Sequence, residues 1–463
     1  MNKVNSFVKV GFYTRILAVI PLVLLTMGAC SAETTRTGQT LISGIVSISS
    51  QVGEDQPDYS GVRFVILSGS PESGRDTLLN AVTNTDGFFS SVVPVPERGL
   101  YPLIVSRNDR TVHIGSLILA PDDTVSITGE LPGLDQNLRV NSPENRAMAT
   151  YERLQRLYGR VATFAYGGSV ENDSIPILME QWSDLFWSMR DEHPGSYAAG
   201  LAAVDAIDVL QGWNDEKVLA RLDELDDSDT FFNVKLTYGG HVTARRLGLD
   251  AGLDYLSSLR RSVRDPQLRQ AIDMRRVELM LDYEDYDDAL AEARGLMDAA
   301  GDDEQLTAWA EDAVYKLENL VPGREIPGFV MPFDGAERMF PDPEGPAVLV
   351  LEVVLLADQS YQQTYPALQE VLRDFGDNQL GVFTVPLDQR QVTVDAFFEE
   401  RSRRWPVSGA GAYEAGDVLT LLRIEEVPTR IVMGRDGTIH ARLVGHDIAA
   451  LRDELNTIIE NTN

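Results

Sequence analysis

The sequence predicts a multidomain chain with an N-terminal β-sandwich, a central all-α segment and a C-terminal α/β domain. Three observations predict this order. Short β-branched runs dominate residues 41–135, helical periodicity takes over in residues 136–320, and strand and helix patterns alternate over residues 321–463. A chain of 463 residues is also long enough to form more than one hydrophobic core.

The chain is strongly acidic, with 40 Lys and Arg residues against 71 Asp and Glu residues and a formal net charge of −31. Such a charge is repelled by nucleic acid phosphates, so the composition excludes nucleic acid as a partner. An anionic membrane surface also repels the chain as a whole. Any membrane attachment is therefore expected to be covalent or hydrophobic.

Residues 1–29 have the pattern of a signal peptide. Basic residues precede a short apolar run, Ile16–Leu25, which has about half of the ~20 residues needed to span a bilayer. The run ends in Met27-Gly28-Ala29-Cys30, which resembles the lipobox of bacterial lipoproteins. The resemblance implies cleavage before Cys30 and a lipid anchor on its sulfur, whereas the alternative is a plain secreted protein.

The residues after the leader predict where this lipoprotein would be located. Ser31 follows the lipidated position, and by resemblance a residue other than Asp there favours the outer membrane. Residues 30–40 are mostly small and polar, which is typical of a tether. We therefore expect a cell-envelope lipoprotein that is anchored in the outer membrane and faces the periplasm.

Residues 41–135 are predicted to form the β-sandwich, because β-branched runs of strand length alternate with turn signals. The segment resembles carboxypeptidase regulatory-like and transthyretin-like sandwiches, including the N-terminal module of envelope lipoproteins. The motifs that support the resemblance are Gly44-Ile45-Val46, Thr85–Phe89 and Leu119–Ile127. The segment contains no recognisable catalytic constellation.

Residues 136–320 show helical periodicity, and Ser142-Pro143-Glu144 is a typical helix start. The run Tyr283–Arg294 is similar to the packed helix pairs of tetratricopeptide-type repeats. Ala289 and Ala293 lie four residues apart on one face, which allows close helix approach. Because no period repeats along the segment, an irregular helical connector is favoured over a regular solenoid.

Residues 321–463 alternate between strand and helix patterns. The near-continuous apolar run Ala347–Leu356 predicts a central strand that is buried on both faces. A helix, a strand, a second helix, a β-hairpin with an Asp-Gly turn and a closing helix are predicted to follow, at Tyr365–Phe375, Val382–Asp388, Val394–Glu400, Thr429–Val444 and Ile448–Ile459.

This order resembles the envelope thioredoxins of the TlpA and ResA type, in which an apolar strand leads into Trp-Cys-x-x-Cys and then Pro-x-Leu. Pro366-Ala367-Leu368 matches the end of that motif, and counting back places Asp358 and Tyr361 at the two cysteine positions. Val427-Pro428-Thr429 matches the cis-proline motif. The resemblance implies a thioredoxin fold, with a backbone edge at Val427 and Pro428 that pairs with a bound chain.

The chain departs from this family at the site itself. Cys30 is its only cysteine, so it has no CxxC pair, no intramolecular disulfide and no cysteine-based zinc site. Disulfide exchange requires a thiolate, which neither the Asp358 carboxylate nor the Tyr361 phenol supplies. We therefore predict no catalytic residue, metal or cofactor, and regard Asp358, Tyr361, Val427 and Pro428 as vestigial active-site positions. Ordinary structural roles at the first two are a helix cap and packing.

Two main functions are compatible with this pattern. The first is a binding or scaffolding module, in which the redox-inactive thioredoxin-like domain of a membrane-anchored lipoprotein holds an unknown envelope protein or peptide. The alternative is a thiol–disulfide oxidoreductase by homology. The sequence leaves the question of enzymatic activity open and favours a non-enzymatic role, because the CxxC motif is missing. A purely structural envelope component is a third possibility.

Overall fold

The computed structural model describes residues 38–48, 59–68, 76–226, 229–375, 379–399, 401–414 and 417–462. The predicted signal peptide and Cys30 lie outside the described residues. The chain forms two compact units, one ending at Arg264 and the other starting at Asp265. The second unit therefore contains the last helices before residue 321 as well as the residues that follow.

The first unit opens with two four-stranded sheets, whose strand orders are β4-β1-β7-β8 and β3-β2-β5-β6 when the strands are numbered along the chain. Inward side chains of both sheets, among them Ile42, Phe64 and Leu103, form a single apolar core. The strands are β1 (Gly38–Ile48), β2 (Val62–Ser68), β3 (Asp76–Val82), β4 (Phe88–Val95), β5 (Gly99–Arg107), β6 (Arg110–Leu119), β7 (Thr124–Leu131) and β8 (Arg139–Asn141).

Strand β1 lies at the centre of the first sheet, antiparallel to β4 and parallel to β7. It begins at Gly38, inside the range predicted as a tether. Gly44 pairs with Phe89 of β4, and a Cβ at position 44 would overlap the Phe89 ring, so only glycine fits there. The predicted turn before β4 is present, with Gly87 at a φ of 77°.

Helices complete the first unit. Helix α1 (Leu134–Asn137) precedes β8, and the long helix α2 (Pro143–Phe164) follows it. The Ser142 hydroxyl caps α2 by accepting the Asn145 N–H at 3.2 Å, which confirms the predicted helix start. The remaining helices are α3 (Ile175–Glu192), α4 (Tyr197–Leu210), α5 (Asp215–Glu224), α6 (Asp229–Val234), α7 (Gly240–Leu247) and α8 (Leu249–Ser262).

The second unit starts with helices α9 (Pro266–Asp282), α10 (Tyr286–Ala299) and α11 (Glu304–Asn319). Ala289 and Ala293 of α10 are completely buried, as their spacing indicates. Helix α11 is tied to the α/β part of the unit, since the Tyr315 hydroxyl donates to the Leu421 carbonyl at 2.9 Å. These helices therefore belong to the same folded body as the C-terminal sheet.

The α/β part of the second unit is built on a four-stranded sheet. Its elements are the hairpin β9 (Phe329–Phe333) and β10 (Ala336–Phe340), then β11 (Val348–Val354), α12 (Gln359–Asp374), β12 (Leu380–Pro386), α13 (Gln391–Glu399), α14 (Val418–Leu421), β13 (Thr429–Gly434), β14 (Ile439–Val444) and α15 (Ile448–Thr462). The sheet order is β12-β11-β13-β14. Strands β11 and β12 are parallel and joined through α12, whereas β13 runs antiparallel to β11 and β14. Strand β11 is buried along its whole length, as the apolar run predicts.

Among the described residues, no helix combines the length and the hydropathy that a membrane span requires.

Candidate functional site

Four loops of the second unit meet at one edge of its sheet. The chain leaves β11 and β12 at their carboxyl ends, enters the antiparallel β13 at its amino end, and leaves β14 at its carboxyl end. These four strand ends lie side by side, so the loops after β11, after β12, before β13 and after β14 lie together at one end of the sheet. We call this end of the sheet the edge. They contain Asp358, Asp388, Pro428 and His446, respectively.

Asp358 occupies the N-cap position of α12. Its Oδ1 accepts the Ser360 N–H at 3.0 Å, which satisfies one of the free donors of the first turn. Its Oδ2 lies 3.3 Å from His446 Nε2 in the loop after β14. The carboxylate therefore joins the start of α12 to that loop, and both side chains are about one-third exposed.

Tyr361 lies one turn further along α12 and points into the fold, with 1% of its surface exposed. Its hydroxyl donates to Glu352 Oε2 at 2.9 Å. Burial, followed by the nearby Glu352 charge, raises the pKa of Tyr361 well above its ordinary value. The phenol is therefore a neutral hydrogen-bond donor at any physiological pH.

Glu352 and Arg430 form a fully buried ion pair between the two central strands. They are directly opposite each other in β11 and β13, and Arg430 Nε lies 2.9 Å from Glu352 Oε1. The Thr384 hydroxyl of β12 donates to Glu352 Oε2 at 3.0 Å, and Trp405 Nε1 donates to the Thr384 oxygen at 2.8 Å. The carboxylate thus accepts from three side chains, which compensates for its removal from water.

The ion pair also reaches the Pro428 loop. Arg430 Nη1 donates to the Gly445 carbonyl at 3.0 Å, and the Gly445 N–H donates to the Pro428 carbonyl at 2.8 Å. The Val427–Pro428 peptide bond is cis. Tyr361 is therefore connected to this loop through Glu352 and Arg430, and Asp358 through His446, the residue after Gly445.

Asp388 holds the loop after β11 in place. It is buried, and its two carboxylate oxygens accept the N–H groups of Leu356 at 2.7 Å and Ala357 at 3.2 Å. These are the two peptide groups immediately before Asp358. The position of the N-cap thus depends on a carboxylate from the loop that follows the neighbouring parallel strand β12.

Glu352, Thr384, Arg430 and Asp388 belong to no motif that predicts a site from the sequence. A signal was present, because Glu352 and Arg430 interrupt two otherwise apolar strand patterns with opposite charges. Two such charges in central strands indicate a buried pair only when the strand register is known. For metals, no group of His, Cys, Asp and Glu side chains in the described ranges has the arrangement of a binding site.

The strand order, the connection through α12 and the antiparallel hairpin define the α/β part of the second unit as a thioredoxin-like fold. It is similar to the thioredoxin domain of a thiol-disulfide oxidoreductase from Bacteroides vulgatus, with 22% identity, 31% of this chain and 100% of that chain covered, and a TM-score of 0.27. A putative thiol:disulfide interchange protein DsbE from Chlorobium tepidum shows 19% identity, 30% and 99% coverage, and a TM-score of 0.28.

A thioredoxin-like protein from Bacteroides caccae covers more of the chain. Its identity is 12%, with 60% of this chain and 93% of that chain covered, and its TM-score is 0.32. No protein-family model and no curated protein matches the sequence.

The geometry defines what the edge is able to do chemically. Asp358 caps α12 and Tyr361 is buried against Glu352, and neither side chain carries a sulfur atom. Both make hydrogen bonds that stabilise the fold. Proton transfer by the buried phenol is disfavoured, because its pKa is raised far from neutrality.

We predict that Arg430→Met strongly destabilises the chain, because it leaves the Glu352 carboxylate buried without its counter-charge. The free energy of unfolding should fall by about 3–5 kcal/mol, measured by urea denaturation. Adding Glu352→Gln should recover part of this loss. As a control, Arg452→Met at the exposed Arg452–Asp374 pair should change it by less than about 1 kcal/mol. A loss at Arg430 no larger than the control would contradict the central role of the pair.

A second prediction concerns Tyr361→Phe at high pH. The pKa of Tyr361 is raised in the folded state, so its contribution is fully present below the unfolded pKa of about 10 and is lost as pH rises above it. The stability difference between the native chain and the variant should be constant up to about pH 9. Above about pH 10 the native chain should lose about 1.4 kcal/mol per pH unit relative to the variant. A difference that stays constant to pH 11 would argue against the buried hydroxyl.

Proposed function

We propose that the chain is an envelope lipoprotein whose thioredoxin-like domain is redox-inactive and binds an extended segment of another protein. The observation that carries the proposal is the replacement at the site. On the resemblance to TlpA- and ResA-type thioredoxins, Asp358 and Tyr361 stand at the sequence positions of the two cysteines, and in this chain both are hydrogen-bonding groups of the fold. The edge therefore lacks the thiols of disulfide exchange, although it keeps the thioredoxin-like strand order and the cis Val427–Pro428 bond.

The backbone of the Pro428 loop supports a binding role. In the described part of the chain, no hydrogen bond uses the peptide N–H or C=O of Val427, which is half-buried. The neighbouring carbonyl of Pro428 is already occupied by the Gly445 N–H. Val427 thus offers one free donor and one free acceptor at the edge, which is what an added strand requires.

The charges at this edge favour a particular kind of segment. Asp358 is partly exposed, and Glu425 and Glu426 lie exposed in the loop before Val427. Lys316 pairs with Glu425 at 2.7 Å, whereas no ion pair among the described residues involves Glu426. A cationic or uncharged segment is therefore favoured over an acidic one.

The proposed location follows from the leader. The lipobox-like Met27–Cys30 supports attachment through a lipid on Cys30, and Ser31 supports the outer membrane. On this proposal the chain displays its binding edge in the periplasm. The lipid on sulfur would also block the single thiol of the chain.

The first test is of redox inactivity. The full chain should reduce insulin disulfides in the presence of dithiothreitol no faster than dithiothreitol alone, because the site contains no thiolate. Cys30→Ser should give the same rate as the native chain. Turnover above the background in either protein would contradict the proposal and favour the oxidoreductase alternative.

The second test is of binding at Val427. A photoreactive benzoylphenylalanine at position 427 should crosslink a discrete protein in the intact envelope, whereas the same group at Met339, which is 59% exposed, should not. Glu426→Lys should lower the yield of the crosslinked product at position 427 several-fold, because it reverses a charge beside the edge. The matched change Glu337→Lys, on the exposed strand β10, should leave the product unchanged. Equal products at 427 and 339 would count against a specific edge.

A further inference from the structure

The outward face of helix α2 carries three arginines and two large apolar side chains in one stripe. Arg153, Arg156, Leu157, Arg160 and Phe164 follow the spacing i, i+3, i+4, i+7 and i+11, so they share one face of the helix. All five are exposed, and Phe164 and Leu157 expose 64% and 43% of their surface. We call these five residues the α2 stripe.

The opposite face of α2 packs inside its own unit. Ala147 and Tyr151 are buried in the helical core, and the ring of Tyr158 lies 5.7 Å from that of Trp182 on α3. The apolar residues that α2 needs for folding are therefore on this inner face. Leu157 and Phe164 are additional, and their exposure is unexplained by the packing of the unit.

The charge of the α2 stripe is opposite to that of the chain. The stripe has three basic residues and no acidic one, whereas the whole chain has a net charge of −31. In the described ranges, neither Arg153 nor Arg160 forms an ion pair, and Arg156 lies 3.8 Å from Glu152 with both side chains mostly exposed. Because screening acts over about 8–10 Å at physiological salt, a contacting surface responds to these local charges more than to the distant acids.

The size of the stripe decides between possible occupants. A stable protein partner typically covers about 800 Å² and 20–30 residues on each side, whereas the stripe has five residues along about 16 Å of helix. A second copy docked through the same stripe would bring like charges together. A phospholipid surface needs no shape complementarity, and arginine beside exposed apolar side chains suits both its phosphates and its acyl boundary.

We propose that the α2 stripe docks on an anionic phospholipid surface. The guanidinium groups of Arg153, Arg156 and Arg160 bind lipid phosphates, and Leu157 and Phe164 enter the boundary of the acyl chains. The contact involves the first unit and is independent of the peptide-binding edge of the second. The contact would add to the attachment that a lipid on Cys30 supplies.

A tryptophan at position 164 tests the contact on the full chain. Phe164→Trp is reconstituted with vesicles of phosphatidylethanolamine and phosphatidylglycerol. The acyl chains of these lipids are brominated, and bromine quenches the fluorescence of nearby tryptophan. The emission of the five native tryptophans, measured on the native chain, is subtracted. The emission from position 164 should fall about twofold or more relative to unbrominated vesicles. Leu247→Trp, on α7 at a residue that is 71% exposed, should not be quenched. Equal quenching at both positions, or none at 164, overturns the proposal.

The arginines are tested in the same assay. Arg153→Gln with Arg160→Gln should lower the ratio of docked to undocked reporter about 25-fold, because each basic residue near an anionic surface contributes a factor of about five. The matched pair Arg261→Gln and Arg264→Gln, which removes the same charge from another exposed site, should not change it. Docking should weaken with added salt and on phosphatidylcholine vesicles. Equal docking on anionic and phosphatidylcholine vesicles overturns the proposal. Absence of docking on every vesicle also overturns it and leaves an acidic protein as the occupant of the stripe.

Discussion

The buried ion pair between Glu352 and Arg430 is the interaction on which the C-terminal sheet edge depends. It joins the two central strands at opposed positions, 2.9 Å apart and almost fully removed from water. Charges in such surroundings are tolerated only when neighbouring groups donate to or accept from them. The orientation of Tyr361, the Thr384 hydroxyl and the Gly445 carbonyl all follow from this requirement.

The same requirement explains the roles of two side chains at the start of α12. The buried Tyr361 hydroxyl donates to the Glu352 carboxylate and so helps to satisfy it. Asp358 caps α12 and contacts His446. The two side chains stabilise the edge, and within the described ranges the peptide N–H and C=O of Val427 take part in no hydrogen bond.

The net charge of the whole chain and the local charge of one helix face predict different electrostatic behaviour. The net charge of −31 predicts repulsion from anionic surfaces, yet the α2 stripe presents three arginines with no acid among them. The distinction arises because screening restricts each interaction to its neighbourhood. The composition therefore predicts the average electrostatic interaction of the protein with a charged surface. The fold determines which part of the protein surface carries the opposite charge.

The sequence alone determined the order of the elements and the chemistry missing from the site. Apolar runs, helical spacing and turn residues depend on local preferences, so β11, the cap at Ser142 and the packing of Ala289 were predictable. Its single cysteine fixed the absence of a dithiol. The tertiary structure decided which distant residues meet: Glu352 and Arg430 are 78 positions apart and become partners only through the register of β11 and β13. It also decided which face of α2 remains exposed, because burial depends on neighbouring elements that no local pattern specifies.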